Sequence, residues 1–154
     1  MHDYQIATNK KGLFNYKIID HWEAGIKLTG PEVKSVKNGQ INLTGSFISL
    51  EYHNNKPQLV LKSCKINAYQ KSGYAQRNYN PERTRSLLLK RKELSTLAGK
   101  LSSPGLTIIP LSVYTKQRLI KIEIGLAQGL TKFDKRDKIK KRELDRNIQR
   151  SIAR

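Results

Sequence analysis

Apolar and polar positions alternate through the middle of the chain in short runs. Residues 16–28 (YKIIDHWEAGIKL) mix aromatic and β-branched side chains and stop at Thr29-Gly30-Pro31, which predicts a strand and then a turn. Pro31 suits a first helical turn, Val33 and Val36 stand three apart, and Gly39 follows, so a short helix is expected here. Phe47-Ile48-Ser49-Leu50 and Gln58-Leu59-Val60-Leu61 flank Asn54-Asn55-Lys56-Pro57 in the pattern of a hairpin. Residues 106–114 and 118–126 repeat it around Thr115-Lys116-Gln117. Between the hairpins, Pro81 opens PERTRSLLLKRKELSTLAGKL. There Leu87, Leu88, Leu94, Leu97 and Leu101 leave an apolar face, and Ser102-Ser103-Pro104-Gly105 ends it, so one long helix is expected.

The pattern changes after Gly129. Residues 131–154 carry ten basic and four acidic side chains, and Leu144, Ile148 and Ile152 form only a thin stripe at helical spacing. This segment is expected to be disordered or frayed alone and helical on a charged surface; the alternative is a helix docked on the rest. The 154-residue chain thus divides into a body, 1–130, and a basic tail, 131–154.

Charge then narrows the partner. Thirty Lys and Arg against twelve Asp and Glu give +18, which calls for a polyanion, and nucleic acid is the first candidate. No apolar run approaches the ~20 residues of a membrane span. The polar start MHDYQIATNK lacks the apolar stretch of a secretory signal, and the single Cys64 fits a reducing, cytoplasmic setting. The fold expected is α+β and mainly β, an OB-like antiparallel β-barrel with packed helices. A sandwich accommodates the same strands but leaves the charge unexplained.

Catalytic chemistry is thin. His2, His21 and His53 are scattered without metal-ligand spacing, and Cys64, at even spacing from Val60 and Ile66, reads as core. Gly125-x-x-x-Gly129 lacks the Lys and Ser/Thr of a phosphate loop and is expected to let a strand leave the barrel. Neither catalysis, a metal nor a cofactor is expected.

Binding signals are denser. Residues 67–80 (NAYQKSGYAQRNYN) interleave Tyr69, Tyr74 and Tyr79 with Lys71 and Arg77, the form of a loop offering stacking faces beside cations. Asn9-Lys10-Lys11, together with Arg83, Arg85, Lys90, Arg91 and Lys92 on the expected helix, are candidates for phosphate. With no helix-turn-helix or zinc finger, RNA fits better than sequence-read DNA.

Four stretches in register carry a resemblance: Trp22-Glu23-Ala24-Gly25-Ile26 with Leu28-Thr29-Gly30-Pro31-Glu32-Val33-Lys34-Ser35; Pro81-Glu82-Arg83-Thr84-Arg85-Ser86-Leu87-Leu88-Leu89; Lys121-Ile122-Glu123-Ile124-Gly125-Leu126-Ala127; and Asp134-Lys135-Arg136. From about Asn9 onward the chain resembles the small protein B family, the SsrA-binding proteins of bacterial trans-translation. The resemblance implies a non-enzymatic adaptor that holds the tRNA-like end of transfer-messenger RNA (tmRNA) and delivers it to stalled ribosomes. Elongation factor Tu and alanyl-tRNA synthetase would then be indirect partners, through the charged RNA. The tail would enter the empty mRNA channel near the decoding centre and fold there. A structural ribosomal protein with an OB-type barrel on rRNA is the rival reading.

Carried over residue by residue, Glu23 matches the glutamate of the family's Glu-Ala-Gly motif, and Leu88 and Lys121 match two further positions linked to RNA. Lys121 would pair with phosphate, Glu23 would accept from base or 2′-OH donors, and Leu88 would act by apolar contact. Phe133, before Asp134-Lys135-Arg136, stands where the family often has Tyr or His and would stack on a base. Gln128-Gly129-Leu130-Thr131 replaces a basic run, so tail contacts are expected to rest on Lys132, Lys135, Arg136, Lys138, Lys140, Lys141 and Arg142. Gly12-Leu13-Phe14 replaces Ala-Arg-His, which leaves Phe14 to act by stacking.

Overall fold

The computed structural model describes residues 4–71, 77–130 and 132–152, with only the backbone of Lys132 and Phe133. In chain order the elements are β1 (Gln5–Thr8), α1 (Lys10–Asn15), β2 (Tyr16–Ile26), α2 (Gly30–Lys37), β3 (Ile41–Asn42), β4 (Phe47–His53), β5 (Lys56–Lys62), β6 (Lys65–Ile66), β7 (Arg85–Leu88), α3 (Arg91–Leu101), β8 (Leu106–Lys116), β9 (Leu119–Gly129) and α4 (Lys132–Ile152). The fold is α+β around a large antiparallel sheet of order β1-β8-β4-β5-β7-β2-β9. Because β9 also pairs with β8, the hydrogen-bonded circuit returns on itself, with β1 added outside it. Its inner positions, among them Leu59, Leu61, Ile108, Val113, Ile122, Ile124 and Leu126, form one core with Val36 of α2 and Leu97 of α3.

Both hairpins form, and each turns on two residues with left-handed backbone. Asn54 and Asn55 have φ of 52° and 62°; Gln117 and Arg118 have 51° and 68°. Such mirror-image turns match the right-handed twist of the flanking strands. Thr115 and Lys116, expected in the second turn, belong to β8.

The expected long helix from Pro81 is not there. Residues 85–88 form β7, with Leu59 opposite Leu87, Leu61 opposite Arg85, and Gly25 opposite Leu88. These pairings satisfy the backbones of β5 and β2 and override the leucine spacing, so the helix starts only at Arg91. Gly125 does not mark an exit from the sheet. It lies inside β9, where a Cβ would meet Leu111 Cδ1 at 2.9 Å, and its bare backbone lets Leu111 lie across it. Cys64 is fully buried between β5 and β6, where burial pushes its thiol up to about 11.

α2 carries a capping box. Thr29 Oγ1 accepts from the Glu32 backbone N–H at 3.3 Å, and Glu32 Oε1 accepts from the Thr29 N–H at 2.9 Å. Glu32 is itself fully buried and is gripped by Arg83 and Arg85; Arg85 Nε lies 2.7 Å from Oε2. Tyr79 Oη stands 3.0 Å from Glu32 Oε2 and 2.9 Å from the Ile66 carbonyl, and it accepts from Arg85 Nη2 at 2.9 Å. Burial alone would raise the Glu32 pKa, but Arg83, the Thr29 N–H and Arg85 outweigh it and hold the carboxyl at about 2.

Candidate nucleic-acid interface

Alternation along β2, β8 and β9 turns one polar row outward. Glu23 lies opposite Glu123, Gly25 opposite Lys121, and Tyr114 opposite Lys121, while Ala24, Ile122, Ile124 and Val113 point to the core. The Tyr114 hydroxyl donates to Glu23 Oε2, and Lys116 Nζ stands 3.3 Å from both Glu23 oxygens. The Tyr114 hydrogen bond, aided by Lys116, holds the Glu23 carboxyl below its ordinary pKa, so it is an anion at neutral pH. Burial and this same carboxylate push the Tyr114 phenol above its usual range. Glu123 accepts from Ser112 Oγ at 3.3 Å and lies 3.3 Å from His21 Nδ1.

Leu88 completes this site. It is half exposed on β7, and its Cβ sits 3.3 Å from where a Gly25 side chain would begin. Glu23, Leu88 and Lys121, far apart in sequence, thereby share one open cleft of about 530 Å³ with His21, Lys90 and Glu123. An apolar side chain sharing one cleft with a fixed carboxylate and a lysine offers a nucleotide three kinds of contact: acceptor, packing surface and cation.

A second, strongly cationic cleft of about 870 Å³ lies between α1 and α4. Lys10 and Lys11 face Lys138, Lys141 and Arg142 across it. Lys138 Nζ donates to the carbonyls of Leu13 (3.0 Å) and Phe14 (3.4 Å), and the Arg142 guanidinium lies 5.2 Å from the centre of the Phe14 ring. These contacts sit on the first half of α4. Further on, Leu144, Ile148 and Ile152 are exposed, so the thin apolar stripe is left uncovered among the described residues. Asp134, Lys135, Arg136 and Lys140 also lie on α4 but do not line this cleft. The side-chain roles expected of Lys132 and Phe133 fall outside the described residues, as does Tyr74.

Two expected phosphate ligands are withdrawn by their burial. Arg85 is fully buried and its guanidinium is consumed within the protein: Nη1 donates to the Cys64 and Arg83 carbonyls, Nη2 to Pro81 O and Tyr79, and Nε to Glu32. Asn9 is the N-cap of α1, with Oδ1 accepting from the Gly12 N–H at 3.0 Å and Nδ2 donating to Pro110 O at 2.8 Å. Arg83 is partly exposed but spends one nitrogen on Glu32. Tyr79, read as a stacking face, is instead anchored through its hydroxyl. Sequence reasoning missed Tyr114 and Lys116; the signal was the hairpin register, which sets Tyr114 beside Lys121.

Residues 6–154 match the family described as SmpB protein. The chain belongs to the SmpB family. An SsrA-binding protein of Sulfurihydrogenibium sp. is 42% identical over 152 residues, covering 99% of this chain and 96% of that one. One from Mesoplasma florum is 40% identical over 150 residues, covering 97% of each, and one from Corynebacterium diphtheriae is 39% identical over 149 residues, covering 97% and 88%. Among solved structures, a chain described in the words "tmRNA-SmpB: a journey to the center of the bacterial ribosome" superposes with a TM-score of 0.65 at 39% identity, over 82% of this chain and 85% of that one. SmpB proteins are an RNA-binding family by this description, and no helix among the described residues is long and apolar enough to cross a membrane.

Proposed function

We infer that this chain is an RNA-binding adaptor that binds the tRNA-like domain of tmRNA and delivers it to stalled ribosomes for trans-translation. The observation that carries this reading is the convergence of Glu23, Leu88 and Lys121 on one cleft in a chain of the SmpB family. The closed strand circuit is an OB-type barrel, and residues 1–130 grip the folded RNA. Residues 131–154 form the tail that probes the decoding centre and the empty mRNA channel, with Lys132, Phe133, Asp134, Lys135, Arg136, Lys138, Lys140, Lys141 and Arg142 as its contacts. Elongation factor Tu and alanyl-tRNA synthetase act with it indirectly, through the aminoacylated RNA. The chain works in the cytoplasm and catalyses no reaction itself.

Binding of the tRNA-like domain, read by filter retention across salt, tests the division of labour. Losing a charge-assisted contact costs ~1.5–3 kcal/mol, so Lys121→Ala should weaken the complex about 10–150-fold. Its log–log salt slope should also fall by about one phosphate. Truncation after Leu130 should keep RNA affinity but abolish tagging of stalled chains. Loss of RNA binding on truncation would overturn the two-part reading. Retention on ribosomes through a high-salt wash, at one copy per particle, would favour the structural ribosomal protein.

A further inference from the structure

The cleft between α2 and the segment after β6 lies apart from both surfaces described above. Its volume is about 450 Å³, within the ~300–1,000 Å³ typical of small-ligand sites. Ser35, Asn38, Gln40, Asn67, Tyr69 and Lys71 line it, without a carboxylate among the described residues. Ser35 is 1% exposed, and its hydroxyl has no hydrogen-bond partner among the described residues. A helical serine ordinarily turns its hydroxyl back to a carbonyl one turn earlier; this one is left unpaired in the wall of the cleft.

The rest of the lining says what kind of ligand. Asn67 Nδ2 donates to Gln40 Oε1 at 2.7 Å, and the two backbones are tied by Asn67 N–H to Gln40 O at 3.0 Å. That pairing fixes both amides and leaves the Gln40 amide nitrogen and the Asn67 amide oxygen for a ligand, one donor and one acceptor. Lys34 Nζ lies over the Tyr69 ring, 5.4 Å from its centre, a cation on one face of the aromatic. Fixed amides, a free hydroxyl, an aromatic ring and lysines without acids match the edge, face and phosphate of one nucleotide.

We propose that this cleft receives an unstacked nucleobase of the bound RNA, stacked on Tyr69 and hydrogen-bonded to Ser35, Gln40 and Asn67, with Lys34 and Lys71 on the adjoining phosphates. The proposal rests on the RNA-binding reading above and adds a contact site on the α2 side of the fold. The Tyr79 hydroxyl, hydrogen-bonded to Glu32 and to the Ile66 carbonyl, ties the residue just before Asn67 to α2.

The test uses the full-length protein and a transcript of the tRNA-like domain of tmRNA, with Lys121→Ala as the reference for the first cleft. Tyr69→Ala should lower affinity about 5–150-fold with an unchanged salt slope, while Tyr69→Phe keeps the ring and should bind as the parent does. Ser35→Ala should weaken binding yet melt no lower than the parent, since it removes an unsatisfied hydroxyl. Ultraviolet crosslinking followed by mass spectrometry should recover a nucleotide on the peptide that contains Tyr69. If Tyr69→Ala and Ser35→Ala bind like the parent while Lys121→Ala does not, the nucleobase site is refuted and the RNA reading stands. If the parent itself shows no preference for the transcript over random duplex, both fall.

Discussion

Replacing Glu32 by glutamine tests the buried ion cluster that ties α2, β7 and the loop before it together. The carboxyl is held at about 2 against an ordinary 4.5, and a gap of that size corresponds to about 3 kcal/mol of differential interaction. Since the folded pKa is the depressed one, this stabilisation is complete above pH 4.5 and is lost as pH falls toward 2. About 2 kcal/mol of it has gone by pH 3. The substituted amide keeps the shape and the acceptor for the Thr29 N–H but leaves the buried Arg85 without a counter-charge. Breaking one side of a buried pair costs ~3–5 kcal/mol. Urea unfolding followed by the fluorescence of the single Trp22 measures both effects. With a slope of ~1–3 kcal/mol per molar urea, Glu32→Gln should lower the midpoint at pH 7 by about 1–5 M. The gap between parent and variant should then narrow by about 2 kcal/mol between pH 7 and pH 3. A gap that stays constant with pH would refute the ionic account and leave only a packing effect.

Cys64 should resist a thiol reagent at pH 8 until the protein unfolds, because burial both blocks access and lowers its thiolate fraction about a hundredfold; rapid native-state labelling would contradict its place in the core. Phe14→Ala removes the ring under Arg142, a contact worth ~0.5–1 kcal/mol. Amide hydrogens in the first half of α4 should then exchange about 2–5-fold faster, and unchanged exchange would mean that α1 does not hold the helix.

The parts of the fold that could be read in advance are those whose signal is local. Two hairpins, the Thr29-to-Gly39 helix and the buried cysteine each follow from a short pattern and its turn residues. Where tertiary partners decide, local pattern misleads. Leu87 and Leu88 join Leu94, Leu97 and Leu101 in a helical pattern, yet residues 85–88 are a strand that points a charged Arg85 inward beside Leu87, which a periodicity argument rejects. Glu32, more than fifty residues away, supplies the counter-charge for that orientation, and carbonyls of residues 64, 81 and 83 with Tyr79 take up the remaining N–H groups. β1 and α1, at four and six residues, are too short to show a period. In the candidate interface, Glu23, Leu88 and Lys121 came from family resemblance, whereas their convergence is a product of strand register. Asn9 and Arg85 show the converse error: polarity alone suggested exposed ligands, and each proves to satisfy backbone or charge inside the fold.

The tail helix is one uninterrupted rod of 21 residues, so at 1.5 Å per residue its far end stands about 30 Å from its first turn. Such a rod transmits phase as well as distance. Inserting one alanine past Arg142 would advance everything beyond it by only about 1.5 Å but swing it through about 100°, carrying Leu144, Ile148 and Ile152 to a different side while leaving the number of charges unchanged. A four-residue insertion would nearly restore the azimuth and add a full pitch of length. Whether tagging tolerates the four-residue insert better than the single one distinguishes a helix that is read by its face from one that is read by its charge.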